Sequence, residues 1–204
     1  MIGGFHGEPR NRSWTLWAAE SYAALFALVL NSPCAIEGLL KEARTDTLTD
    51  CLTYDSTRRE LAREVSRSRR ARLELSCCLI DLDGFNCTPD QQRNEMLTQV
   101  ATVLRDSVRS YDTVGQYGCD QLVVLLPHTN GAEARRIAAR LESVTATAGL
   151  PGLEPPLPAS IGLATWAHGK SAEQLLARAR TAQLATKALT TEVASENATR
   201  TTAA

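Results

Sequence analysis

The chain of 204 residues is long enough for one domain of ordinary size plus an appendage, and a hydrophobic share of 44% supports a real core. Its 22 basic and 23 acidic residues nearly cancel, which excludes a global pull toward nucleic acid or an anionic membrane, so partners have to be argued locally. Six cysteines, at 34, 51, 77, 78, 87 and 119, show no paired metal-ligand spacing, and a reducing cytoplasm is the simplest setting for them. Residues 1–9 hold Glu8 and no early basic cluster, so no secretory leader is expected there.

Residues 1–12 are Gly-rich and polar, the composition of a mobile terminus. Ser13 to Leu30 carries Trp14, Leu16, Trp17, Tyr22, Leu25, Phe26 and Leu28 to Leu30, a run of about 18 residues at the lower edge of a membrane span. Glu20 in its middle would cost on the order of 3 kcal/mol at a bilayer centre, which disfavours a span. Two readings stay open for this helix: a contact surface for a partner or dimer mate, and a helix docked on its own domain. Asn31-Ser32-Pro33 breaks it, and a second helix from Ala35 to Arg44 completes an N-terminal helical extension over residues 1–44.

Ser56 is predicted to cap a helix over Thr57 to Arg72 with Leu61 and Val65 on its apolar face. Its arginines, at 58, 59, 63, 67, 69, 70 and 72, are expected to form a solvated face in preference to a site for an acidic partner. Leu73 to Leu82 is an apolar run, the pattern of a central strand buried on both faces, with Cys77 and Cys78 as small hydrophobes within it. It ends in Asp81 and Asp83, where α/β sheets open their ligand crevice. Leu97, Val100, Leu104 and Val108 mark a helix from Asp90 to Ser110. Asp112 to Tyr117 and Gln121 to Leu126 read as a hairpin around Gly118, Cys119 and Asp120. Gly131 to Val144 forms the next helix, with Ala134, Ile137, Ala138 and Leu141 inward and Arg136 and Arg140 sharing an outward face. Four prolines make Gly149 to Pro158 a loop, Ala159 to Thr165 is a strand, and Ser171 caps a last helix to about Leu189. The tail, residues 191–204, is expected to be disordered. This alternation gives an α/β (α+β) domain over residues 45–190, a central mixed sheet flanked by helices.

Asp46-Thr47-Leu48-Thr49, Asp81-Leu82-Asp83-Gly84-Phe85, Arg109-x-x-Asp112, Gly118-Cys119-Asp120-Gln121-Leu122, Ser160-Ile161-Gly162 and Lys187 stand in the order of separate short motifs of one family. The domain resembles the GGDEF-domain diguanylate cyclases, which join two GTP into cyclic di-GMP. The resemblance implies a nucleotidyl-cyclase-like fold, metal held by Asp81 and the hairpin acid Asp120, and a phosphate contact from Lys187. It also implies a product-binding site made by Arg109, Asp112 and Arg140.

This chain departs from that pattern where the chemistry would lie. Gln121 replaces the hairpin glutamate, and a neutral amide oxygen is a poorer ligand for Mg²⁺ than a carboxylate. Cys119 adds a side chain where backbone should approach phosphate. Pro89 stands in place of a base-reading asparagine, Asn94 in place of a guanine-binding aspartate, and the loop between them is shorter. Asp81, Asp120 and Gln121 are therefore read as a vestigial catalytic set and Lys187 as a vestigial phosphate contact, with no cofactor unless Mg²⁺ serves a working cyclase. The product site keeps its residue types: guanidinium forks suit phosphate and the guanine edge, and a carboxylate accepts guanine N–H groups. The sequence thus predicts no enzyme but a cyclic di-GMP receptor, with an unidentified protein partner reached through the N-terminal helix. The alternatives are a scaffold that binds no nucleotide and an active diguanylate cyclase.

Overall fold

The computed structural model describes residues 44–83, 85, 90–147 and 159–202. The N-terminal extension, with its tryptophan-rich segment Ser13 to Leu30, lies outside them up to Ala43, as do Asn86 to Pro89 and the proline loop. Among the described residues no helix is long and apolar enough to cross a membrane.

The elements run α1 (Tyr54–Ala71), β1 (Leu75–Leu82), α2 (Asp90–Asp106), β2 (Thr113–Gln116), β3 (Gln121–Pro127), α3 (Gly131–Thr147), β4 (Ala159–Thr165) and α4 (Ala172–Thr202). The four strands form one sheet in the order β2-β3-β1-β4. Each of its pairings is antiparallel, and an isolated parallel bridge joins Leu52 to Gly115 at the β2 edge. This is the α/β class the alternation of strands and helices predicts.

All eight residues of β1 are buried, because the two faces of the strand meet different helices. Cys78, Ile80 and Leu82 pack with Leu97, Val100 and Leu104 of α2 and Ala134, Ile137 and Leu141 of α3. Leu75, Cys77 and Leu79 pack with Leu61 and Val65 of α1 and Leu175, Leu176 and Ala179 of α4. Each fully buried leucine or isoleucine contributes about 1.5 to 3 kcal/mol relative to exposure, so the period-two pattern of β1 anchors both layers. Burial also pushes the Cys78 thiol up to about 12, which makes it a packing residue and not a nucleophile.

The ends of the elements differ from the sequence reading for local reasons. The Asp46 carboxylate accepts the Thr49 N–H at 2.9 Å and the Leu48 N–H at 3.2 Å, an Asx turn that sets the chain against β2. Leu52 then exchanges backbone bonds with Val114 and Gln116, and α1 starts at Tyr54. Ser56 is therefore not the cap but a buried residue of the first turn; Thr53 holds the cap position and gives its hydroxyl to Ser56 at 3.0 Å. The arginines of α1 are all exposed, and Arg63 and Arg67 pair with Glu60 and Glu64 three residues back. Ser171 caps α4 as expected, through reciprocal bonds with Gln174 of 3.2 and 3.0 Å. That helix continues past Leu189 to Thr202, a stretch that contains neither glycine nor proline.

Candidate functional site

Two polar constellations stand at opposite ends of β3. The hairpin places Gln121 beside Asp81 and, four residues along, Leu125 beside Thr113, on the order of 13 Å away by strand rise.

The first constellation is the end of β1. A Cβ at Gly162 would stand 2.1 Å from the Ala179 carbonyl oxygen and 2.2 Å from the Gln183 nitrogen, so only glycine lets α4 lie directly on β4. That contact carries Gln183 and Lys187, one turn apart, over the strand-end carboxylates. The Lys187 ammonium lies 3.1 Å from Asp81 Oδ1 and 2.9 Å from Asp83 Oδ1. Asp81 Oδ2 accepts from the Gln121 amide at 3.0 Å and from the Gln183 amide at 3.2 Å. Asp83 Oδ2 accepts from the Ser160 hydroxyl at 2.6 Å. Burial alone would lower the Lys187 pKa, but hydrogen bonds and charge from Asp83 and Asp81 outweigh it and hold the ammonium above its ordinary value. The hairpin is tied to the same place by the Leu82 N–H, which donates to the Asp120 carbonyl at 3.1 Å, while Cys119 is exposed at the tip.

The divalent metal that the sequence resemblance implies does not fit this set as it stands. All four carboxylate oxygens of Asp81 and Asp83 already face a protein cation or donor, and Gln121 turns its amide N–H, not its oxygen, toward Asp81. No group of three or more His, Cys, Asp or Glu suited to a metal occurs among the described residues. Asn94 lies exposed on α2, whereas Pro89 is outside the described residues.

The second constellation is the corner between α2 and β2. The helix stops at Asp106, short of the predicted Ser110, because the chain turns into a bend closed by Asp112. The Asp112 carboxylate accepts the Arg109 N–H at 2.9 Å, and the Asp112 N–H donates to the Arg109 carbonyl at 3.0 Å. The Arg109 guanidinium bonds the Tyr111 hydroxyl at 2.8 Å and the carboxylate of Glu133, and these bonds raise its pKa. From α3, Arg140 donates to the Ser107 carbonyl at 2.6 Å. Arg109, Glu133, Arg136 and Arg140 line an open cleft of about 450 Å³ over this corner.

Asp112 differs from the carboxylates at the end of β1 in one respect. Its Oδ1 is buried with neither a hydrogen bond nor an ion pair among the described residues, whereas Asp83 Oδ1, buried and likewise without a well-aligned hydrogen bond, meets the Lys187 ammonium at 2.9 Å. Burial raises its pKa, and the Arg109 N–H and the charges of Arg109 and Arg140 offset only part of that. The three residues predicted for ligand binding are thus brought together. Glu133, Tyr111 and Gln183 were missed by the sequence reading, although Gln183 could have been found from its spacing of four before Lys187 on one helix face.

The family model described as "Diguanylate cyclase, GGDEF domain" matches residues 43–192. The chain belongs to the GGDEF family. The diguanylate cyclase DosC of Escherichia coli (strain K12) is 31% identical over 106 residues, covering 50% of this chain and 23% of DosC. The GGDEF domain of DgcB from Caulobacter crescentus, crystallised with c-di-GMP, superposes with a TM-score of 0.66 at 19% identity, covering 72% of this chain and 91% of that one. The diguanylate cyclase SiaD of Pseudomonas aeruginosa, in complex with its activator SiaC, superposes with a TM-score of 0.68 at 23% identity, covering 86% and 70%. At those identities the two structures establish the fold. The chain spans about a quarter of the length of the curated relatives it matches. The expectation that the chain is not an enzyme is overturned by this kinship, since GGDEF relatives such as DosC are named diguanylate cyclases.

Proposed function

We propose that this GGDEF domain binds cyclic di-GMP in the cleft at the α2–β2 corner, through Arg109, Asp112 and Arg140, and signals its presence to a protein partner in the cytoplasm. The observation that carries the reading is Asp112 Oδ1, a buried acceptor without a donor, beside two arginines and an open cleft. Guanine N–H groups are the donors such an oxygen lacks, and the arginines offer forks to the phosphates. The DgcB domain was crystallised with c-di-GMP and SiaD with an activator protein, which supports both a ligand and a partner of these kinds. The free thiols of Cys51, Cys77, Cys78 and Cys119 suit a reducing compartment.

Calorimetric titration of the purified chain with cyclic di-GMP tests this. Binding at micromolar concentration is expected, weakened about ten-fold to more than a hundred-fold in Arg109→Ala or Arg140→Ala, as for loss of a charge-assisted hydrogen bond. No binding by the parent, or equal binding by both variants, would leave a protein-interaction scaffold as the reading. Diguanylate cyclase activity is a second reading, favoured by the kinship with DosC. It is tested by incubation with GTP and Mg²⁺ or Mn²⁺, with Asp81→Ala as the control that abolishes product.

A further inference from the structure

We infer that Lys187 is the resident counter-ion of the β1 carboxylates, and that a divalent cation can reach Asp81 and Asp83 only by displacing it. The ammonium bridges one oxygen of each carboxylate, at 3.1 and 2.9 Å. The two remaining oxygens take donors from three separate elements: Gln121 of β3, Gln183 of α4 and Ser160 of β4. Gln183 is fully buried, and its Oε1 has no partner among the described residues. Its amide is therefore oriented by the carboxylate, giving up a bond on one side to donate on the other.

The placement of the lysine follows from packing. Gly162 admits the α4 backbone onto β4, and the residue four after Gln183 then falls over Asp81. A dication arriving at this site meets a like charge at short range and finds carboxylate oxygens already engaged. A hard, strongly hydrated cation such as Mg²⁺ gives up water only for free anionic oxygens, so occupancy becomes a competition between one ammonium and one metal ion. Lys187 thereby sets the metal affinity of the domain.

Mn²⁺ titration of the purified chain, followed by the electron paramagnetic resonance of the free ion and without nucleotide, tests this. Lys187→Met is expected to bind Mn²⁺ at least ten-fold more tightly than the parent, Lys187→Arg to match the parent, and Lys187→Met with Asp81→Asn to lose the gain. Added Mn²⁺ should likewise raise the melting temperature of Lys187→Met more than that of the parent. Lys187→Gln, which removes the charge and keeps a donor, takes the place of Lys187→Met if circular dichroism shows the latter unfolded. Equal Mn²⁺ affinity in the parent and the charge-removing variant overturns the inference, as does a gain that survives Asp81→Asn.

Discussion

The two ends of β3 treat their carboxylates differently. At Asp81 and Asp83 the protein itself supplies an ammonium and donors from three elements, so the charge is answered from within. At Asp112 one oxygen caps the Arg109 turn and the other is buried without a partner, beside arginines held only by surface contacts to Glu133, Tyr111 and Ser107. A satisfied polar cluster ties elements together; an unsatisfied acceptor next to exposed cations leaves room for a ligand. Position in the sheet does not distinguish the two, because both lie at strand termini. The count of donors does.

Stability measurements break this comparison most sharply. Asp81→Ala strands a partly buried ammonium and two amide donors, and is expected to destabilise the fold by about 2 to 4 kcal/mol in urea unfolding. Asp112→Ala loses one turn bond and also removes an orphan oxygen, so its cost should stay below about 1 kcal/mol. Equal costs at the two sites would erase the distinction.

The pH dependence of binding sharpens it further. Burial holds the folded Asp112 carboxyl above its ordinary value, so this group stabilises the fold below the pKa of the unfolded chain, and that contribution is lost as pH rises through the folded value. Ligand affinity should run the other way. Guanine N–H donors need the ionised carboxylate, so cyclic di-GMP binding is expected to weaken by about ten-fold as pH falls through the raised value. Calorimetry from pH 7 downward checks it, with Asp112→Asn expected to abolish the slope. The smallest effect is expected at Glu133. It holds the Arg109 guanidinium in an ion pair, and Glu133→Gln should tighten binding by roughly two- to five-fold, the scale of an exposed ion pair.

Much of the fold was legible in the sequence because burial leaves a period. The apolar run to Leu82 and the helical spacing of Leu97, Val100 and Leu104 reappear as core. The start of α1 was not legible, since it depends on the Asx turn at Asp46 and on a bridge from Leu52 to β2, both set by tertiary contact. The motif order located Arg109, Asp112, Arg140, Asp81 and Lys187, but not what answers each charge. Gln121 read as a weakened metal ligand, yet its amide N–H donates to Asp81, a role that depends on where α4 delivers Lys187. Glu133 escaped notice because its partner lies 24 residues earlier in the chain.

Backbone amide chemical shifts recorded during a cyclic di-GMP titration test the central claim most directly, since they report which end of β3 the ligand meets. The account predicts saturable shifts concentrated at Ser107 to Asp112 and at Glu133 to Arg140, with Leu82, Gln121 and Lys187 nearly unmoved. Shifts centred on Asp81, Gln121 and Lys187, or none at millimolar ligand, would contradict it.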